Sequence, residues 1–313
     1  MSAGERAGGA LPAGVHRNVP LAPMLTIRTG GAAELFARAA SAQEIVALLA
    51  WAGERGLPVA VIGSGSNLLV ADAGVPGLVI KLGRELAQIE VQGSRVHCGG
   101  AARLPAIAAR AARAGLAGIE FGVSIPGSVG GAVRMNAGAY GGELAQVLEH
   151  AQVATASGVE RRGGEQLRFD YRSSALASGE EVVVAACFAL RPDQPAAIAA
   201  RIATMRRSRH EAQPRGIKTF GSTFKNPPAE LGAGMSAGQL LERSGCRGLA
   251  IGKARFSEQH ANFIENTGGA TTADVLALIA EGRRRVQERF RIELEPEVRT
   301  LGELELPWRA GSG

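Results

Sequence analysis

Nine glycines fall between residues 115 and 142, at positions 115, 118, 122, 127, 130, 131, 138, 141 and 142. No other feature constrains the fold of this chain as strongly. A connector this long is uncommon inside a compact domain unless it does something. Each ordered glycine also costs more backbone entropy than another residue would. The bias extends to the whole chain, where 43 of 313 residues are glycine, about twice the usual share of roughly 7%. No Gly-X-Y period occurs, which excludes collagen. The tract reads either as a turn-rich connector or, the reading we favour, as backbone held open against a large polyanionic ligand.

Hydrophobic residues make up 46% of the chain and charged residues 20%. That is enough apolar material for packed cores and excludes wholesale disorder. Aromatics are only 4%, so few platforms exist for stacking single-stranded bases. Cys98, Cys187 and Cys246 lie far apart with no C-x-x-C spacing. That predicts neither a zinc site nor a disulfide framework, so no metal is expected, and it fits a reducing, cytoplasmic compartment. No apolar run approaches the roughly 18 residues of a membrane span, and no membrane partner is expected. The N-terminal residues lack a signal-peptide core and read as an unstructured tail. The net charge of +6 admits an anionic ligand or nucleic acid. The basic clusters Arg206-Arg207-Ser208-Arg209 and Arg283-Arg284-Arg285 sit in segments of helical apolar spacing and read as solvated helix faces.

Ser41 and Glu44 form a capping-box pattern. Ile45, Leu48, Leu49 and Ala52 then recur at helical spacing, predicting a helix over 42–55. Strands are expected at 59–62 and 78–82, strand signals run through 85–98, and a helix over 103–114 ends at Gly115. Beyond the glycine tract we expect strands at 151–155 and 181–190 and a basic helix near 195–209. The run Gln213-Pro214-Arg215-Gly216 marks a boundary. A short helix near 236–244, a long one over 272–290 with Val275, Leu278, Ile279, Val286 and Phe290 on one stripe, and a strand over 294–301 complete the pattern.

The loop Gly63-Ser64-Gly65-Ser66-Asn67 follows a buried strand. It is neither a dinucleotide fingerprint, since Leu68 stands where a glycine is needed, nor a Walker loop. Alone it reads equally as a phosphate site or a tight turn. The pair Tyr171-Arg172, the loop Gly221–Pro227 and the segment Leu294–Arg299 each admit a plain structural reading when taken singly.

Taken in order, these segments resemble the UDP-N-acetylenolpyruvoylglucosamine reductases, flavoenzymes of peptidoglycan precursor synthesis. The resemblance runs from about Leu25 to Leu301, through TIRTGGAAELF, VIGSGSNLLVADAGVPGLVI, GLAGIEFGVSIPGSVGGAVRMNAGAYGGE, DYRSS, GSTFKNP, SEQHANFIEN and LEPEVRTLG. It implies a mixed α+β and α/β fold: a two-part FAD-binding domain of the vanillyl-alcohol-oxidase-like type and a C-terminal α+β substrate-binding domain. The expected divisions are a tail over 1–18, FAD-binding subdomains over 19–83 and 84–209, a substrate domain over 210–305 and a tail over 306–313.

The resemblance also implies cofactors and site residues. FAD falls on Gly63, Ser64, Gly65, Ser66 and Asn67 and on Ser124, Pro126, Gly127, Ser128, Gly131 and Gly138. NADPH is the hydride donor. The family transfers hydride through FAD to C3 of an enolpyruvyl ether and protonates C2, which requires stabilising charge on the carboxylate. Arg172 looks like the arginine that faces that carboxylate. Glu297 looks like its partner, and to polarise the carboxylate it must hold or share a proton, which implies a raised pKa. Ser222 looks like the proton donor. Asn226 matches a UDP contact, and Tyr171, Lys225 and His260 with Asn262 extend the substrate site, although a lone histidine is more often structural. The chain resembles the shorter subclass, because neither of its two tyrosines, Tyr140 and Tyr171, lies in 173–221. A related FAD oxidase with another substrate remains an alternative. The expected partner is a soluble UDP-sugar. No nucleic acid is expected, because anionic ligands account for the charge, and a monomer is the expected form.

Overall fold

The computed structural model describes residues 10–176, 179–214, 216–232 and 234–307. The chain sorts into two compact units. The first holds residues through Asn18 with Glu34–Ser64 and Pro76–Arg209, and the second holds Val19–Ala33, Gly65–Val75 and the residues from His210 onward. Positions 1–9 and 308–313, which fall in the expected tails, lie outside the described residues. From Val15 onward the chain is ordered as β1 (Val15–Pro20), which corrects the expectation of a tail reaching residue 18. The reason is burial: Val15 packs in one core with Leu35, Ile45 and Leu48.

Next come β2 (Ala32–Ala39), α1 (Ala42–Glu54), β3 (Val59–Ile62), β4 (Leu68–Val70) and β5 (Val75–Leu82). The apolar spacing places α1 correctly, since Ile45, Leu48, Leu49 and Ala52 are its buried residues. The Ser41 hydroxyl accepts from the Glu44 N–H at 3.1 Å. The Glu44 carboxylate reaches back to the Ala40 N–H at 2.7 Å, one residue earlier than in a standard capping box. One sheet has the order β1-β2-β5-β3, with β3 parallel to β5.

A hairpin of β6 (Ile89–Gln92) and β7 (Arg95–Gly99) leads to α2 (Leu104–Arg113) and β8 (Leu116–Ala117). Gly115 ends α2 at φ +68°, a conformation glycine adopts without strain. The glycine tract then forms a 3₁₀ turn (Glu120–Ser124), α3 (Val129–Arg134) and a hairpin of β9 (Gly138–Ala139) and β10 (Gly142–Glu143). It is therefore a folded segment rather than an extended run. The unit closes with β11 (Leu148–Thr155), β12 (Gly158–Arg162), β13 (Val182–Ala189), β14 (Arg191–Pro192) and α4 (Pro195–Ala212). Strands order as β12-β11-β13-β7-β6 in an antiparallel sheet. One face packs on α2 and α3 through Val96, Ile107, Val129, Val133 and Phe188.

The second unit contains α5 (Ala237–Arg243), a small sheet of β15 (Ala250–Ile251), β16 (Ala254–Phe256) and β17 (Ile264–Asn266), α6 (Thr272–Phe290) and β18 (Arg299–Leu301). Thr271 and Asp274 cap α6 reciprocally, each side chain accepting the other's N–H at 3.0 and 3.1 Å. Val275, Leu278, Ile279 and Val286 are buried, while Phe290 is only half-buried. Strand β18 runs parallel to β4, Arg299 opposite Leu68. This pairing is why residues 65–75, within the stretch expected as 19–83, cluster with the C-terminal part of the chain. The strand expected over 294–301 shortens to β18, because Pro296 has no N–H for a ladder.

Arg283, Arg284 and Arg285 of α6 are balanced by acids. Arg284 pairs with Glu281 and Glu288, Arg285 with Glu281, and Arg283 with Glu293. On α4, Arg206 and Arg207 are exposed as expected, but Arg209 turns inward and donates to the Ser124 carbonyl. No helix among the described residues is long and apolar enough to cross a membrane.

Candidate active site

In the first unit, β3 delivers Gly63 and Ser64 to a backbone turn beside Ser128. A Cβ at position 63 would lie 2.3 Å from the Ser128 hydroxyl oxygen, a contact that the hydroxyl would have to rotate away from. Ser128 precedes α3, yet its side chain makes no capping bond. Lys81 donates its ammonium to the Gly63 carbonyl. Burial pushes the Lys81 pKa down to about 8, and the charges of Arg38 and then Arg103 add to the shift. Cations gathered at a small-residue loop suit a bound diphosphate.

The glycine tract fits the same ligand. The Ser124 hydroxyl is buried with no hydrogen-bond partner among the described residues. At Gly127 and Gly131 a Cβ would find its nearest neighbours at 3.7 and 3.6 Å, and neither has a positive φ. The chain itself thus has no need of glycine at either position. A ligand lying against this backbone does need it. Gly138 differs, since a Cβ there would meet the Gly142 carbonyl at 2.6 Å, so its glycine answers to the hairpin. Pro126 is exposed.

Arg172 sits in a turn sewn to the glycine tract. Its guanidinium donates to the Gly138 carbonyl at 2.9 Å and lies 4.9 Å over the Tyr171 ring. The Asn136 amide donates to the Asp170 carbonyl at 3.2 Å, and the Ser174 hydroxyl donates to the Arg134 carbonyl at 2.8 Å. Arg172 holds φ +56°, a strained value for a non-glycine residue that surrounding bonds must enforce. Arg201 of α4 bonds Glu120 at 2.9 Å and Asp193 at 2.6 Å. Burial acts to raise the Glu120 pKa, but backbone N–H groups and Arg201 outweigh it and keep the carboxylate below its usual range.

In the second unit, the loop from Gly221 to Asn226 runs between two segments. Ser222 bridges to Phe263, and Phe224 to Pro296. Thr223 donates its N–H to the Asn262 carbonyl, and Glu297 donates its N–H to the Thr223 carbonyl, both at 2.8 Å. The Asn262 side chain holds both backbone groups of Phe224 at 2.9 Å. Ser222 and Glu297 are therefore fixed on adjoining segments. Lys225 pairs with Glu295 at 2.7 Å, and the Asn226 side-chain oxygen accepts the Ala237 N–H at the start of α5.

Gly65 and Asn67 belong to this unit. Gly65 holds φ +67°, and a Cβ there would meet the Met24 carbonyl at 2.3 Å. The Asn67 side-chain amide donates to the Glu297 carbonyl at 3.2 Å. Asn67, expected on FAD, also ties its side chain to the Glu297 segment. His260 packs against Gly238 and, edge-on, against Phe263. Burial lowers its pKa, and Nδ1 accepts the Asn262 N–H at 3.2 Å, which leaves the proton of the neutral ring on Nε2. No sequence signal pointed to Lys81, Asn136 or Arg201, whose contacts depend on partners distant in the chain.

Residues 33–164 match the FAD binding domain family. With the diphosphate-suited loops, this defines a flavoprotein. Residues 213–301 match the C-terminal domain of UDP-N-acetylenolpyruvoylglucosamine reductase. The chain is 43% identical over 298 residues to UDP-N-acetylenolpyruvoylglucosamine reductase 2 of Symbiobacterium thermophilum, covering 95% of this chain and 94% of that one. It is 44% identical to the enzyme of Paramagnetospirillum magneticum, covering 91% of each. The crystal structure of the Thermus caldophilus enzyme superposes with a TM-score of 0.79 at 37% identity, covering 92% of this chain and 98% of that one. The chain belongs to the UDP-N-acetylenolpyruvoylglucosamine reductase family, the family its motifs resemble.

Proposed function

We propose that this chain reduces the enolpyruvyl ether of UDP-N-acetylglucosamine to UDP-N-acetylmuramate with NADPH, as a cytoplasmic monomer acting on a soluble UDP-sugar. The family supports the substrate class. The observation that supports the residue roles is the bond from the Glu297 N–H to the Thr223 carbonyl, which couples the Glu297 segment to the Ser222 loop.

FAD would be held by Gly63, Ser64 and Lys81 with the Ser124–Gly138 segment, and when bound it supplies hydride, drawn from NADPH, to C3 of the enolpyruvyl group. The addition leaves negative charge on C2 and the carboxylate. Arg172 stabilises that charge with a permanent cation. Glu297 polarises the carboxylate by holding or sharing a proton, and Ser222 gives its hydroxyl proton to C2. Tyr171, Lys225, Asn226 and His260 line the UDP-sugar. The oxidase alternative keeps the FAD loops and gives the Ser222 set other work.

Half-reactions separate these roles. In Ser222→Ala, NADPH should bleach the flavin at a near-normal rate, while the enolpyruvyl substrate should restore the colour at least about 100-fold more slowly. If reoxidation by substrate is unchanged, Ser222 is not the donor. If wild-type reduced enzyme reacts with oxygen faster than with substrate, the oxidase reading replaces this one.

A further inference from the structure

The five-stranded sheet carries a group of metal-ligating side chains that the reductase chemistry does not use. Three central strands bring them into one cross-strand row. Cys187 on β13 is register-paired with His97 on β7 and with His150 on β11. Val96 and Phe188, the neighbours of His97 and Cys187, point into the core shared with α2 and α3. Successive strand residues face opposite ways, so the row lies on the face turned away from α3; a bulge in β11 between Leu148 and His150 leaves Glu149 beside it. Its rim is accessible: Glu90 and Gln152 are exposed, His97 and His150 are half-buried, and Cys187 is buried. A recess of about 240 Å³ opens there, lined in part by His97 and His150.

The donor atoms converge. Cys187 Sγ is 4.0 Å from His97 Nε2. His150 Nδ1 is 3.6 Å from Glu149 Oε1, and the ligand atoms of Glu149, His150 and Cys187 all lie within 4.8 Å of one another. Around tetrahedral zinc, with Zn–S near 2.3 Å and Zn–N near 2.0 Å, donors sit about 3.3–3.8 Å apart. Glu149, His150 and Cys187 form a group close to that spacing, and His97 approaches it through Cys187. His150 Nδ1 is buried and has no hydrogen-bond partner among the described residues, a cost that a bound cation removes. The other Glu149 oxygen, Oε2, is held by Arg95 at 2.6 Å, and the exposed Arg161 approaches Oε1 itself at 3.5 Å, as outer-shell partners hold ligating carboxylates.

We propose that Cys187, His97, His150 and Glu149 form a binding site for a divalent transition metal of the zinc class. One thiolate and two neutral imidazoles match its preference for sulfur and nitrogen over oxygen-only sets, while the Glu149 carboxylate is shared between the ion and the guanidinium groups of Arg95 and Arg161. Binding replaces the Cys187 thiol proton with the metal and releases that proton to solvent. The ion joins β7, β13 and β11 and so acts as a clamp across the middle of the sheet.

The test uses FAD-loaded protein and zinc chloride alone. Calorimetry with metal analysis after dialysis should find about one zinc per chain, and the thermal midpoint should rise with zinc. Cys187→Ser and His150→Ala should each weaken binding by more than about 100-fold, the upper end of what loss of an outer-shell partner costs. Arg95→Ala, which spares all four ligands, should weaken it by about 10–100-fold. Cys246→Ser, in the second unit, should leave it unchanged. Retained flavin and circular dichroism establish that each variant is folded. Absence of stoichiometric zinc, or binding that Cys187→Ser and His150→Ala leave intact, overturns the proposal.

Discussion

The side-chain amide of Asn67 donates to the Glu297 carbonyl at 3.2 Å, across 230 positions of sequence. The Arg299 N–H in turn donates to the Asn67 carbonyl at 3.1 Å. Asn67 ends a loop that by sequence belongs with the FAD diphosphate, yet its side chain positions a carboxylate proposed to act on substrate. Asn67→Ala should therefore lower kcat by about tenfold or more while flavin content stays near that of wild type. A variant that loses flavin but keeps normal turnover per bound flavin would make Asn67 a cofactor contact instead.

Asn262 is a buried positioning residue whose amide satisfies both backbone groups of Phe224. Asn262→Ala strands a buried N–H and a buried carbonyl, each costing about 1–3 kcal/mol. Denaturant unfolding of the flavin-loaded protein should show a loss of about 2–6 kcal/mol. Asn262→Asp keeps the acceptor for the Phe224 N–H and should lose less. Equal losses in both variants would place the effect elsewhere.

Much of the fold was legible because it is local. The stripe Ile45, Leu48, Leu49 and Ala52 and the stripe from Val275 to Val286 place two helices directly. What was not legible depends on pairing between distant strands. Arg299–Leu301 beside Leu68–Val70 redraws the expected divisions. Cys187 between His97 and His150 collects the side chains of the proposed metal site, which have no metal-site spacing along the chain. At the site, the proposed roles of Ser222, Arg172 and Glu297 come from the resemblance of the motifs taken in order, since each segment taken singly admits a plain structural reading. The bonds that fix these residues come from Thr223, Asn136, Asn67 and Asn262, polar residues without a periodic signal. Arg209, read as part of a solvated face, bonds the Ser124 carbonyl because one turn of α4 faces the glycine tract.

Lys81 makes cofactor affinity depend on pH. Without ligand its pKa is about 8, and a nearby diphosphate raises it. Below about pH 8 the ammonium is charged in both states, so affinity is level. Above it the free protein has lost a proton that binding must restore, so affinity falls, by at most about tenfold per pH unit. Titrating apoprotein with FAD from pH 7 to about pH 9, with flavin fluorescence as the signal, should show this fall. In Lys81→Met affinity should be lower and nearly independent of pH. A level wild-type profile would remove Lys81 from the diphosphate site.

Two glycines of the same tract should respond oppositely to alanine. At Gly131 the new methyl group has its nearest neighbour at 3.6 Å and φ is not positive, so the fold accepts it and helix propensity even favours it by up to about 1 kcal/mol. If glycine stands there to let FAD approach the backbone, Gly131→Ala should retain or gain thermal stability as apoprotein yet bind FAD more weakly by about tenfold or more. At Gly142 the methyl group would meet the Phe121 ring at 2.5 Å. Gly142→Ala should therefore destabilise the apoprotein by about 1–3 kcal/mol through overpacking. The pair separates glycines kept for a ligand from glycines kept for the fold. Measuring apoprotein stability and FAD affinity on both variants gives each its own reading. Undiminished FAD affinity in Gly131→Ala would reassign that part of the tract to structure alone.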